Sequence, residues 1–323
     1  MVISLSGEKK DKRNGHLVNE DVFYTDENIT ILMDGATGLG DNELDVYKTS
    51  AEWYVAELLQ YLKSKLVNQE NIELEETVKS AIEYMKERIE AKEEELGIRL
   101  KPYEVPSSSL VISRKRGEFL ELFSLGDSII LIKHKSNDTV EEIRDCNLHK
   151  LDNNVWKLMK DISIVEDITI KEARNKPEVI ELLRENRQLK NKVGGYYIAS
   201  NDSSVVSYAY QRKYKLNELE KVFVCTDGFD IDVLGMTKEK FMHNISDCTK
   251  SKFCAIGWRE ICLYTLYSSS PTTFSYYLAY IVYMPIVYYF IFNLIIIFII
   301  LSYYLLIFNL LKSILSLFKF LFI

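Results

Sequence analysis

The sequence predicts an α+β fold in which antiparallel sheets pack against helices. Residues 21–34 and 107–124 each contain two short apolar runs joined by a turn, which is the pattern of a β-hairpin. Between them, residues 46–62 and 74–96 carry apolar side chains at helical spacing. Strands and helices are therefore grouped in blocks, which favours antiparallel sheets over a parallel doubly wound sheet.

The first hairpin leads into an Asp-Gly dipeptide. Its strands are residues 22–24 and 29–33, separated by the turn Asp26-Glu27-Asn28. The second strand runs directly into Asp34-Gly35, where glycine permits a tight turn and a close approach of the backbone. We therefore expect the Asp34 carboxylate to lie at the end of a strand.

Later strands repeat this arrangement. Apolar strands are predicted on both sides of Gly126-Asp127-Ser128 and over residues 223–226, directly before Asp227-Gly228. Residues 137–192 are polar with a helical tendency and contain no catalytic pattern that we recognise. Asp127 and Asp227 thus join Asp34 at strand ends or strand breaks.

Composition divides the chain into two parts. The 323 residues carry a formal net charge of -7, which argues against a nucleic-acid partner. Glu260 is the last acidic residue, and residues 261–311 contain no charged side chain. We therefore expect one domain over residues 1–260 and an apolar helical tail over residues 271–323, with one or two transmembrane helices.

The cysteine pattern and the first residues predict where the domain resides. The five cysteines lack metal-binding spacing and the N-terminal residues lack a signal-peptide pattern, so we expect a reducing, cytoplasmic setting. If the tail is a genuine anchor, it attaches this domain to a membrane. Alternatively, the tail is a frameshift product, because its residue types are those that AT-rich DNA encodes, and the protein is then cytoplasmic.

The acidic residues together indicate a centre for divalent metal ions. Glu20 and Asp21 precede the first strand of the first hairpin. If their carboxylates and those of Asp34, Asp127 and Asp227 are gathered in a folded site, they repel one another unless cations neutralise their charge. Carboxylate oxygens suit Mg²⁺ or Mn²⁺ better than zinc or copper. Two such ions can lower the pKa of a shared water and direct it at a phosphoryl group without a covalent nucleophile.

Five segments stand out in order along the chain: residues 19–21, 32–38, 107–111, 125–128 and 224–228. Together they resemble motifs of the PP2C (PPM-type) family of metal-dependent protein-serine/threonine phosphatases, in particular its bacterial members. The resemblance spans roughly residues 1–235, and residues 194–197 are similar to a further bacterial segment.

The resemblance implies a PP2C-like α-β-β-α sandwich of two antiparallel sheets flanked by helices, with two Mn²⁺ or Mg²⁺ ions at one end. By the same resemblance, Asp34 bridges the two ions and the Gly35 carbonyl is a further ligand. The resemblance also implies that Asp127 is a ligand of a third, more weakly bound ion. The metal ligands implied are Glu20, Asp21, Asp34, Gly35, Asp127 and Asp227.

The implied activity is hydrolysis of phosphoserine and phosphothreonine on a phosphorylated protein substrate. The family carries a phosphate-binding arginine four residues before the glutamate of its first motif, but this chain has His16 there, with Arg13 nearby. Arginine offers a permanently charged two-pronged donor that histidine lacks. We therefore expect His16 or Arg13, together with Asp34, to serve the reaction.

One departure from the family leaves a second function open. The family ends its site with an Asp-Asp or Asp-Asn motif, and none of the acids after Asp227 stands in such a motif; Asp247 is the nearest by position. Loss of a metal-binding carboxylate weakens both affinity and rate. The alternative is therefore a catalytically impaired regulatory or binding module tethered to a membrane.

Overall fold

The computed structural model describes residues 17–45, 48–67, 69, 71–137, 139–228 and 237–244, together with the short strands 2–5, 9–10 and 262–265. All of these lie within one unit, Met1–Ser268. Arg13, His16, Asp247, Glu260 and the tail at residues 271–323 lie outside the described residues.

The described part of the chain forms twelve strands and six α-helices, numbered in chain order. The strands are β1 (Val2–Leu5), β2 (Lys9–Lys10), β3 (Leu17–Val18), β4 (Asp21–Thr25), β5 (Ile29–Ala36), β6 (Ser107–Arg116), β7 (Phe119–Leu125), β8 (Ile129–His134), β9 (Val140–Ile143), β10 (Tyr210–Lys215), β11 (Leu219–Cys225) and β12 (Cys262–Thr265). The α-helices are α1 (Ser50–Leu66), α2 (Leu74–Leu96), α3 (Cys146–Glu166), α4 (Ile170–Ala173), α5 (Pro177–Gln188) and α6 (Lys238–Asn244), and 3₁₀ turns cover Ser203–Tyr208 and Leu216–Glu218.

Two antiparallel sheets form the centre of the fold. The larger has the strand order β10-β7-β6-β5-β4, and the smaller has the order β11-β8-β9. Outside them, β1 pairs with β12 and β2 pairs with β3, both antiparallel. The prediction of an α+β fold with antiparallel sheets is therefore confirmed, and both predicted hairpins are present as β4–β5 and β6–β7.

The alternation of side chains along β5 gives each face of the larger sheet its own core. Ile31 and Met33 pack with α1 and α2 on one face. Leu32 points to the opposite face and packs with Ile130 of β8 and Val224 of β11. Because successive residues of a strand face opposite sides, an uninterrupted apolar strand such as this one must lie between two layers.

The smaller sheet is covered on its far side as well. Leu131 and Phe223 alternate with the residues that face the larger sheet, and they pack against Phe241 and Met242 of α6. The described layers are thus helices, larger sheet, smaller sheet and helix, in that order. This arrangement buries both faces of the central strands β5, β6, β7 and β8 along most of their length.

Helices α3, α4 and α5 form a helical insert between β9 and β10. The insert has a small apolar core of its own around Val155, Met159 and Val179. It contacts the rest of the domain through polar groups: the Arg184 Nε donates a hydrogen bond of 3.0 Å to the Leu39 carbonyl. The helical tendency of residues 137–192 is therefore confirmed, whereas strands β9 and β10 were not predicted from the sequence.

No helix within the described part of the chain combines the length and the apolar character needed to span a membrane. The predicted transmembrane helices fall entirely in residues 271–323, outside the described residues, so they stay a prediction from the sequence.

Candidate metal centre

Strand pairing brings the first two acidic positions side by side. In the antiparallel register of β4 and β5, Asp21 lies directly opposite Asp34, and on the other side of Asp34 lies Ser109 of β6. Like charges directly opposite each other across strands destabilise a sheet. The pairing of these two carboxylates therefore points to a cation that the fold is built to hold.

Asp34 is the centre of a larger acidic group. Burial raises the pKa of the Asp34 carboxyl well above its ordinary value, and the negative charges of Asp21, Asp227 and Asp127 raise it further. The fold thus collects four aspartates from four predicted motifs at one end of the sandwich. Glu20 lies beside them in sequence, but its carboxylate is held differently.

The Glu20 side chain is fixed by two hydroxyl groups. Its Oε1 accepts hydrogen bonds from the Thr37 Oγ1 at 2.5 Å and from the Thr49 Oγ1 at 2.8 Å. Thr49 is also the N-cap of α1, where its Oγ1 accepts from the Glu52 amide. Glu20 therefore ties the metal-binding strands to the start of α1, and its side chain is 9% exposed.

Glycine at position 35 allows this arrangement. The Gly35 amide donates to the Glu20 carbonyl oxygen at 3.0 Å. A Cβ atom on residue 35 would lie 2.5 Å from the same oxygen, closer than real Cβ contacts allow. The close approach of the two backbones thus requires glycine, which confirms the close backbone approach predicted for this position.

Asp127 is positioned by a second glycine turn. Gly126 adopts a φ of +98°, a left-handed conformation that favours glycine, and a Cβ there would lie 2.9 Å from the Ser109 Cα. The Ser109 and Ser128 hydroxyls share a hydrogen bond of 2.7 Å, which fixes the turn against β6. Burial and the charge of Asp227 raise the pKa of Asp127 to about 7.

Asp152 joins the centre although the sequence analysis passed over it. Carboxylate oxygens of Asp127, Asp152 and Asp227 all lie within 4.8 Å of one another. Burial and the charge of Asp227 raise the pKa of Asp152, and the nearby Arg187 guanidinium opposes that rise. Asp152 lies in the second turn of α3, so the finding that residues 137–192 hold no catalytic pattern was wrong.

The donor set fits hard divalent cations. Asp127, Asp152 and Asp227 offer carboxylate oxygens alone, within the spacing that one bound ion needs. Burial and the charge of Asp227 disfavour the charged forms of Asp127 and Asp152 while no cation is bound. Oxygen-only sites of this kind suit Mg²⁺ and Mn²⁺, and the described residues of the centre bring no cysteine or histidine that would favour zinc.

Arg13 and His16 are the positions expected to bind substrate phosphate. Both lie outside the described residues, as do Asp247 and Glu260. Their proposed parts in the reaction therefore rest on the sequence.

Comparison with protein families gives one match. The family described as "Protein phosphatase 2C" matches residues 12–252, well over half of the chain. No curated protein gives a significant match.

Several solved structures resemble the fold. The serine/threonine phosphatase Stp1 from Staphylococcus aureus is 14% identical with a TM-score of 0.45, over 84% of this chain and 96% of that one. The phosphatase PstP/Ppp from Mycobacterium tuberculosis is 13% identical with a TM-score of 0.46, over 84% of this chain and 99% of that one. The PstP catalytic domain in complex with two manganese ions is 14% identical with a TM-score of 0.41, and the match covers 82% of this chain and 96% of that one.

The raised pKa of Asp127 predicts how stability depends on pH when no metal is bound. The unfolded carboxyl titrates near pH ~3.9 and the folded one at about 7, so the folded state binds more protons between those values. The free energy of unfolding should therefore fall as pH rises from about 4 to about 7. We expect Asp127→Asn to flatten this fall, measured by urea unfolding in chelator.

The matched control for this experiment is Asp161→Asn, an exposed aspartate on α3. It should keep the wild-type pH dependence. If Asp127→Asn loses as much stability as the wild type over the same pH range, the Asp127 carboxyl does not titrate in the folded protein as described.

A second prediction concerns Asp152. Asp152→Asn should weaken Mn²⁺ binding by about 10- to 100-fold, because it removes one of the three grouped carboxylates while α3 keeps its length. Calorimetric titration of the full chain measures the dissociation constant, and Asp161→Asn again serves as the control on the same helix. An unchanged dissociation constant in Asp152→Asn would remove this residue from the centre.

Proposed function

This chain belongs to the protein phosphatase 2C family of metal-dependent protein-serine/threonine phosphatases, and we propose that it hydrolyses phosphoserine and phosphothreonine on proteins at the centre around Asp34. In this reaction the oxygen of a water forms a bond to phosphorus and the ester bond to the serine or threonine oxygen breaks. The products are the free hydroxyl group and inorganic phosphate. The observation that carries the proposal is the convergence of Asp21, Asp34, Asp127 and Asp227.

Two Mn²⁺ or Mg²⁺ ions are the proposed cofactors. When bound, such ions supply positive charge for the phosphoryl oxygens and lower the pKa of a water. We propose that Asp34, the Gly35 carbonyl, Asp21, Asp227 and Glu20 would hold these ions. Asp127 and Asp152 are the residues suited to a third ion, because their oxygens lie within 4.8 Å of each other and of Asp227.

The protein's own part in the reaction is to hold these groups in place. Hydrogen bonds from Thr37 and Thr49 orient the Glu20 carboxylate. The Ser109–Ser128 hydrogen bond holds the turn that carries Asp127. Because the side chains are fixed before substrate arrives, little reorganisation is needed as negative charge develops on the phosphoryl group.

The reaction also needs a group that contacts the substrate phosphate and a source of the proton for the leaving group. We propose Arg13 or His16 as the phosphate contact, on the strength of their place before the first motif in the sequence. Ala36 occupies the position after Asp-Gly at which many family members carry a histidine, so the leaving-group proton would come from water. Asp152 adds a carboxylate to a centre for which no closing Asp motif is recognised in the sequence.

The proposed activity predicts a strict dependence on Asp34. With p-nitrophenyl phosphate and Mn²⁺, the full chain should show phosphatase activity that Asp34→Asn lowers by about 100-fold or more, since even residues that only support a metal ligand cost 10- to 100-fold. The control Asp161→Asn should keep wild-type activity, and chelator should abolish it. A wild-type rate no higher than that of Asp34→Asn would refute the proposal.

The second candidate function is a catalytically impaired module attached to a membrane through residues 271–323. Two features of the sequence favour it: the uncharged stretch at residues 261–311 and the missing closing motif. It shares the fold and the acidic centre but lacks turnover, so the assay above separates it from the first candidate.

Membrane attachment can be tested on its own. The full chain should float with phosphatidylcholine vesicles in a density gradient, whereas a chain shortened after residue 260 should stay in the dense fraction, because the apolar stretch is absent. Equal behaviour of the two chains would contradict a membrane anchor in residues 271–323, whichever catalytic outcome is found.

A further inference from the structure

A cavity of about 350 Å³ lies where the helical insert meets the loop that precedes β6. We name it the basic cavity, because Arg187, Lys190 and Lys192 are among the residues that line it. The lining also includes the apolar residues Leu100, Pro102 and Val105, which we call the apolar wall.

The basic residues that line the cavity outnumber the acidic ones three to one. Asp202 is the one carboxylate among them, and its Oδ1 accepts from the Ser204 amide at 3.0 Å and the Ser204 hydroxyl at 2.7 Å. Within the described part of the chain, Arg187, Lys190 and Lys192 form no ion pair. The cavity therefore presents an excess of positive charge.

Lys190 is the residue for which this excess matters most. Its side chain is partly exposed, but the ammonium group lies deep among protein atoms and donates to the Val105 carbonyl oxygen at 2.6 Å. Burial and the neighbouring Arg187 lower the pKa of Lys190 to about 7. A buried cation with a single neutral acceptor is costly, so an anion in the cavity would stabilise its charged form.

Arg187 connects the cavity to the metal centre. It lines the cavity, and its Nη1 donates to the Ser107 Oγ at 3.3 Å. Ser107 pairs with Ala36 of β5, two residues beyond Asp34. The same guanidinium opposes the rise that burial and Asp227 cause in the pKa of Asp152. Arg187 therefore both lines the cavity and acts on Asp152 of the metal centre.

We propose that the basic cavity binds an acidic side chain of the substrate protein close to the phosphorylated residue, so that the enzyme prefers phosphosites flanked by glutamate or aspartate. This inference rests on the proposed phosphatase function and names a feature of its substrate. The apolar wall of Leu100, Pro102 and Val105 suits the methylene stem of such a side chain, while the carboxylate pairs with Lys190.

The test compares two phosphothreonine peptides that differ only in carrying glutamate or glutamine beside the phosphorylated residue. The measured quantity is the ratio of kcat/KM for the glutamate peptide to that for the glutamine peptide. We expect a ratio of about 10 for the full-length wild type, the size expected from one charge-assisted hydrogen bond. Lys190→Met and Lys192→Met should each lower the ratio towards one.

Using a ratio separates a contact with the acidic group from general damage, because loss of active protein lowers both rates equally. Lys192 is exposed, so its variant carries little folding risk if Lys190→Met proves unstable. The matched control is Lys171→Met, which removes the same charge from an exposed position on α4 outside the cavity and should keep the wild-type ratio.

The outcomes also separate this inference from the proposed function. A wild type that hydrolyses both peptides with a ratio near one overturns the acidic subsite and leaves the phosphatase function standing. Binding of inorganic sulfate that depends on Lys190, with a ratio near one, identifies a small-anion site and overturns the inference too. If no phosphate ester is hydrolysed, the function fails, and fluorescence anisotropy of a glutamate-rich unphosphorylated peptide then decides the subsite: weaker binding by Lys190→Met supports it, and equal binding overturns it.

Discussion

Repulsion within a cluster of carboxylates is the constraint on which the site depends. Burial raises the pKa of Asp34, and the charges of Asp21, Asp227 and Asp127 raise it further. Burial and the charge of Asp227 act in the same way on Asp127 and Asp152. Such a group has two ways to relieve the repulsion: it binds protons, or it binds cations. Near neutral pH, cation binding displaces those protons, so metal affinity and protonation are two aspects of one property of the fold.

The apolar layers allow this repulsion to persist in a folded protein. The larger sheet packs against α1 and α2 on one face and against the smaller sheet on the other, and the acidic residues lie beside this core. Burial of apolar surface contributes roughly 25 cal/mol per Å², and this contribution opposes the cost of assembling the carboxylates. Close backbone contacts at Gly35 and Gly126 then fix where the carboxylates lie.

The sequence predicts the parts of this arrangement that depend on local pattern. Both hairpins, helix α2 and the position of Asp227 after a strand follow from alternation and spacing, and the resemblance to PP2C agrees with the family match. Asp34 lies inside β5 rather than at its end, because the strand continues in register with β6 to Ala36. Asp152 was missed because an aspartate in a polar amphipathic helix looks like part of a solvated face. Its place in the centre depends on contacts between residues distant in sequence, such as Arg184 with Leu39. Arg13, His16 and the tail at residues 271–323 stay predictions.

The helical insert contributes residues to both the metal centre and the basic cavity. Asp152 at its beginning contributes a carboxylate to the centre, and Arg187 at its end lines the basic cavity while facing that carboxylate. The two residues belong to one small unit with its own apolar core, and Arg184 and Arg187 of this unit donate hydrogen bonds to the sandwich. Burial raises the pKa of Asp152 and lowers the pKa of Lys190, while the positive charge of Arg187 favours the charged form of Asp152 and the neutral form of Lys190. Arg187 is therefore the side chain whose charge acts on both the metal centre and the basic cavity.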